Sequence, residues 1–79
     1  MYTLTVSGIA GPFTEYLNGR IADLLFIEEG SRCTIEVLND LNERMLITTT
    51  IVTYIENIDR DIRVVTKDAE YYFTRIEGI

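Results

Sequence analysis

Runs of alternating apolar and polar residues recur about every 8–12 residues along this chain, with turn-forming residues between them, the spacing of a small all-β domain. Residues 2–7 set the pattern, with Tyr2, Leu4 and Val6 on one side and Thr3, Thr5 and Ser7 on the other. Cys33, Ile35 and Val37 alternate in the same way with Arg32, Thr34 and Glu36. Ile62, Val64 and Thr66 alternate with Arg63, Val65 and Lys67. The longest candidate strand, residues 45–55, sets Ile47, Ile51 and Ile55 against Leu46, Val52 and Tyr54. Apolar residues on both its faces predict a central strand, or one that bends across a barrel corner. Residues 8–12, 39–43, 56–61 and 67–70 read as turns, and residues 71–76 as a closing strand. Composition agrees: 26 of 79 residues are Ile, Val or Thr, whose stiff side chains suit a pleated sheet, and only three are Ala.

Residues 13–30 admit two readings. With a helical period, Leu17, Ile21, Leu24 and Leu25 share a face and Thr14 caps the start, but Gly19 then sits inside the helix. With a strand period, Asn18-Gly19 is a two-residue hairpin signal and residues 20–27 form a largely buried strand. The hairpin is the preferred reading, with one short helical turn over residues 12–16. The expected class is mainly β: a single-domain small antiparallel barrel of five to seven strands, with room for one short helix near residues 12–25. Barrel closure removes the exposed edges that so short a chain would otherwise carry. A chain of 79 residues buries about 60–65% of its unfolded surface, so the core is small and self-association would add stability.

The sequence Thr48-Thr49-Thr50-Ile51-Val52, followed by Tyr54-Ile55, Ile62-Arg63-Val64-Val65-Thr66 and Tyr71-Tyr72-Phe73, resembles the closing strands of small SH3-like barrels of bacterial and phage type. The resemblance covers roughly the last 30 of the 79 residues. It implies an SH3-like barrel and a tendency to bind proteins or oligonucleotides. It implies no active site, because fold analogy assigns no function.

Net charge is −6 and the isoelectric point about 4.4. That balance opposes non-specific binding to a phosphate backbone and adsorption to anionic lipid. It suits a basic protein partner, or simply keeps a small domain soluble. Cys33 stands alone, so an internal disulfide is excluded, and its place in an alternating run predicts a buried, inert thiol. With no signal-peptide pattern and no apolar run near the roughly 20 residues of a membrane helix, the expected compartment is the cytoplasm.

Histidine is absent, which removes the usual general base and the commonest transition-metal ligand. Ser-His-Asp and Cys-His catalysis within one chain is therefore excluded. The five glycines are scattered and form no phosphate loop. Glu28-Glu29 beside Gly30 reads as a solvated turn. Glu56, Asp59 and Asp61 could surround a hard cation, but they lack the EF-hand spacing and are expected to form a charged turn. No catalytic residue, cofactor site or metal site is expected.

Six of the seven basic residues are Arg, a planar donor fork that is enriched, like Tyr, at interface hot spots. Pairing of the last two strands would bring Arg63 and Lys67 toward Tyr72 on the outward face. Tyr54 and Arg75 complete this candidate interaction surface. Such a patch could stack a base or nucleotide; the simpler expectation is cross-strand pairing of Arg with nearby acids. Three functions follow in order of preference. The first is a small acidic module, of a kind encoded by phages and mobile elements, that binds and modulates a larger protein, even by imitating nucleic acid. The second is an oligomeric binder of a small ligand, nucleotide or oligonucleotide. The third is a structural subunit of an assembly. A homo-oligomer is compatible with all three.

Overall fold

The structure is a computed structural model and describes residues 1–8 and 12–76. Six strands and one short helix follow in the order β1 (Tyr2–Gly8), α1 (Pro12–Leu17), β2 (Ile21–Phe26), β3 (Arg32–Leu38), β4 (Arg44–Ile58), β5 (Asp61–Thr66) and β6 (Ala69–Arg75). The strands close into one antiparallel barrel in the order β1-β2-β3-β4-β5-β6. The expected class is thus the observed one, a small SH3-like barrel with a single tiny helix. No helix among the described residues is long and apolar enough to cross a membrane.

Alternation fills the core. Leu4 and Val6 from β1, Cys33, Ile35 and Val37 from β3, Val64 from β5, and Tyr71 and Phe73 from β6 point inward and are buried. The Tyr2 ring meets Phe73 edge-on, with centroids 5.9 Å apart at 81°, a favoured aromatic geometry.

β4 has 15 residues because it serves two neighbours. Residues 44–51 pair with β3 and residues 52–58 with β5, as expected of a strand that turns a barrel corner. Register shifts lie on both sides of the handover, at the Arg32/Thr34 step and the Val52/Tyr54 step. The extra residues flip the alternation, so Thr49 and Val52 are buried while Ile51 and Tyr54 are exposed. The long strand also displaces an expected turn. Residues 56–58 belong to β4, and the turn is only Asp59-Arg60, with Asp59 at φ 56°, a conformation that Asp tolerates.

The seam between β1 and β2 corrects the hairpin reading. Residues 12–17 are helical, and Asn18-Gly19 ends that helix instead of joining two strands. Gly19, at φ 83°, supplies the left-handed residue with which helices commonly end. The strand expected over residues 20–27 is present as β2, but it is not largely buried: Ala22 is in the core while Ile21, Leu25 and Phe26 are exposed. Only two residue pairs, Tyr2↔Ala22 and Thr3↔Ile21, join β1 to β2. Further along β1 the segment after α1 takes over the hydrogen bonding. The Leu4 amide donates to the Arg20 carbonyl and the Gly19 amide to the Leu4 carbonyl, both at 2.8 Å. The Val6 amide donates to Asn18 Oδ1 at 2.6 Å. Leu17 is buried in the core. The expected cap, Thr14, has a side chain outside the described residues.

Arg20 ties this closure to the end of β3 and the turn that follows it. Its Cζ lies 4.0 Å from the Tyr16 ring centroid, its Nε donates to the Tyr16 carbonyl, and its Nη2 pairs with Asp40 at 2.9 Å.

Candidate functional site

β5 and β6 pair as expected, and Arg63 stands directly opposite Tyr72. The register runs on through the neighbouring strands, so two rows of side chains cross the outer face. One reads Glu56, Arg63, Tyr72, Thr5 and the next reads Tyr54, Val65, Glu70, Ser7. Alternation on each strand puts both rows outside while Val64, Tyr71 and Phe73 fill the core between them.

Within this face two carboxylates engage one arginine. Arg63 Nη2 donates to Glu70 Oε1, and Arg63 Nη1 lies 3.5 Å from Glu56 Oε1. The Tyr72 hydroxyl donates to the other Glu70 oxygen at 2.9 Å, and the Tyr54 hydroxyl to Glu56 at 3.4 Å. The Arg63 guanidinium carbon lies 5.8 Å from the Tyr72 ring centroid, within cation–π range. The Arg63 Nε, shielded from solvent, has no hydrogen-bond partner among the described residues.

Acidities follow from these contacts. Hydrogen bonds to Glu70 and then Tyr72 raise the Arg63 pKa above its ordinary value. The Tyr72 hydroxyl, and after it Arg63, lowers that of the Glu70 carboxyl. Burial pushes the Cys33 thiol up to about 11 and also raises Tyr71. A buried thiol kept protonated is a poor nucleophile.

Of the other expected members of the surface, Lys67 and Arg75 lie apart from Arg63 and Tyr72, while Tyr54 joins them through Glu56. Lys67 sits in the β5–β6 turn, four residues and roughly 13 Å of strand from Arg63. It lines a separate open depression with Ser7, Gly8 and Thr66. Arg75 ends β6, where its amide donates to Asp61 Oδ1 at 3.1 Å. By strand parity it lies on the side of Phe73, not of Tyr72. Tyr54 is in the second row, beside Glu56.

Glu56 and Glu70, the partners of Arg63, were not among the expected site residues. The signal for Glu70 is its spacing two residues before Tyr72, and for Glu56 the mirror position of Arg63 about Asp59-Arg60. That mirror position exists because residues 56–58 continue β4 and are not part of the turn. The expected acidic turn is also divided: Glu56 serves Arg63, Asp61 accepts the Arg75 amide, and Asp59 takes the turn. Among the described residues no group of three or more metal-ligating side chains converges.

The depression beside Arg63 and Tyr72, bounded by Ile58, Ile62 and Phe73, holds about 100 Å³, below the roughly 300–1,000 Å³ of ordinary ligand pockets. Fold and face together define a small closed β-barrel with an acidic, tyrosine-bearing outer wall. No family model matches the chain, and neither a curated protein nor a solved structure shows significant similarity to it.

Proposed function

We propose that this chain is a non-enzymatic interaction module that docks through the β4–β5–β6 wall onto a basic segment of a larger protein. The supporting observation is the engagement of Arg63 by Glu70 and Glu56. With the cation at the centre of the wall already matched, Tyr54 and Tyr72 stand exposed among carboxylates. Exposed tyrosines supply rigid contact area at little entropic cost, and the acids around them favour Lys or Arg on the partner. The net charge of −6 extends the same preference over longer range. A phosphate-bearing ligand would have to displace two carboxylates from Arg63, so a nucleotide fits this wall less well. A reducing compartment such as the cytoplasm suits the unpaired Cys33 thiol.

The test is capture of tagged protein from lysate of its source cell, read by native mass spectrometry across a salt series. Expected is a stoichiometric larger protein, released as salt rises and lost with the folded double variant Tyr54→Ala/Tyr72→Ala. A partner that binds the double variant equally well, or one indifferent to salt, would overturn the reading. So would bare protein or a small added mass.

A further inference from the structure

A second face, on the far side of β4, carries a different pattern. The β2, β3 and β4 registers build a grid on the outer surface. Its middle row is Phe26, Thr34, Thr48. The row toward one end of the barrel is Asp23, Glu36, Leu46, and toward the other end Arg32 faces Ile51. Leu46 is 67% exposed, and Phe26 and Ile51 are 47% each. Leu25, displaced outward at the β2 bulge, adds to them. Four exposed apolar side chains gathered on one wall of so small a barrel favour its being covered by another surface.

Its charges say which surface. Arg32 and Glu36 lie two strand positions either side of Thr34 on the same strand and face. Arg32 makes one hydrogen bond, at 3.4 Å to the Thr49 carbonyl, and has no ion pair among the described residues. Glu36 is held only loosely, 3.5 Å from a largely exposed Arg44. Asp23 is already matched by the Met1 amino group at 3.0 Å. A two-fold axis lying across the strands through Thr34 maps this pattern onto its complement. Arg32 of each copy then faces Glu36 of the other, Leu46 faces Ile51, and Phe26 faces Phe26. A two-fold axis along the strands would instead set Glu36 on Glu36.

We infer that the β2–β3–β4 wall is a homodimer interface, closed by a second copy of this chain about a two-fold axis through Thr34. Sheets packed face to face in this way keep their strands nearly aligned, and an isologous contact satisfies both copies with one patch. The dimer contacts use none of Tyr54, Glu56, Arg63, Glu70 and Tyr72, so failure of the dimer would leave the proposed partner-binding surface standing.

Sedimentation equilibrium on the purified chain tests the interface, using Arg32→Glu and Glu36→Arg, each checked for wild-type circular dichroism. The wild-type chain is expected to dimerise with concentration. Each variant alone sets like charges opposite one another twice and is expected to weaken the dimer about tenfold or more. An equimolar mixture of the two variants restores both contacts and is expected to form a heterodimer. Thr34→Arg, which places a charge on the axis itself, is expected to give monomers as well. A wild-type chain that stays monomeric when concentrated, single variants that dimerise like wild type, or a mixture that stays monomeric would each overturn the inference.

Discussion

The Thr49 hydroxyl accepts a hydrogen bond from the buried Cys33 amide at 3.0 Å and donates to the Thr50 carbonyl at 2.7 Å. A side chain thus replaces the ladder bond that the β3–β4 register shift removes, at the point where β4 changes neighbours. Thr49→Val keeps the shape and leaves the Cys33 amide unpaired, so unfolding free energy should fall by about 1–3 kcal/mol. Thr49→Ser should recover most of the loss. Urea midpoints of the three proteins make the comparison, and equal midpoints for Val and Thr would show that the hydroxyl does not hold the corner.

Gly8 packs against the β5–β6 turn so closely that a Cβ would lie 2.6 Å from the Asp68 carbonyl oxygen and 2.7 Å from the Ala69 Cα. Both are backbone atoms, and φ at Gly8 is +125°. The neighbouring turn has little freedom to retreat, because the Thr66 hydroxyl binds both the amide and the carbonyl of Ala69. Gly30 also has positive φ, at +86°, but nothing lies within 4 Å of its would-be Cβ. Gly30→Ala should therefore cost only the backbone term, about 1–2 kcal/mol. Gly8→Ala should cost distinctly more, since an unfavourable backbone of about 1–3 kcal/mol is compounded by displacement of the turn. Thermal melts should rank wild type, Gly30→Ala and Gly8→Ala in descending order.

Much of the barrel is legible in two-residue alternation. Leu4, Val6, Cys33, Ile35, Val37 and Val64 all point inward as their spacing demands, because a one-residue slip would turn every one of them to water. The pattern fails where the period breaks. Ile51 and Val52 exchange faces beside the β4 bulges, and Leu25 and Phe26 lie together outside at the β2 bulge. An inserted residue leaves no trace in composition or spacing. Asn18-Gly19 misleads for a different reason: the same dipeptide serves a hairpin or a helix end, and the Val6 amide 12 residues away decides the outcome. In the site, the Arg63–Tyr72 pairing was readable from the β5–β6 hairpin. The grouping with Lys67 was not sound, since same-side residues four apart on a strand are too far apart to converge.

The Cys33 thiol is raised by burial from its ordinary 9.0 to about 11. A raised folded-state pKa means that the neutral thiol is favoured by folding. Its contribution to stability is fully present below about pH 9 and is lost as pH climbs from 9 toward 11, when the unfolded chain gains by ionising. Cys33→Ala, which cannot titrate, should therefore lose less stability over that window than wild type. The same burial should make alkylation of Cys33 at pH 8 track global unfolding, so iodoacetamide labelling should accelerate in step with added urea. Rapid labelling of the native protein would show that the thiol is reached without unfolding.

Tyr72 carries the leading part in holding the Glu70 carboxyl below its ordinary 4.5, with Arg63 second. A depressed folded-state pKa contributes stability at pH values above the unfolded pKa, and that contribution disappears as pH falls through the folded value. Tyr72→Phe removes the hydroxyl and preserves the ring above Arg63, so the Glu70 carboxyl carbon should titrate at a higher pH, nearer 4.5. Arg63→Met, which removes both a hydrogen bond and a positive charge, should move it in the same direction. Carbon-detected NMR titration of the three proteins distinguishes them, and a Glu70 midpoint unmoved by Tyr72→Phe would place the control on Arg63 alone. These effects bear on the wall itself. A docking segment that draws the Tyr72 hydroxyl away frees one Glu70 oxygen while the other stays on Arg63, exposing negative charge where the basic segment arrives. Tyr72→Phe would then enter the complex with that oxygen already free, and its partner affinity should depend more steeply on salt than that of wild type.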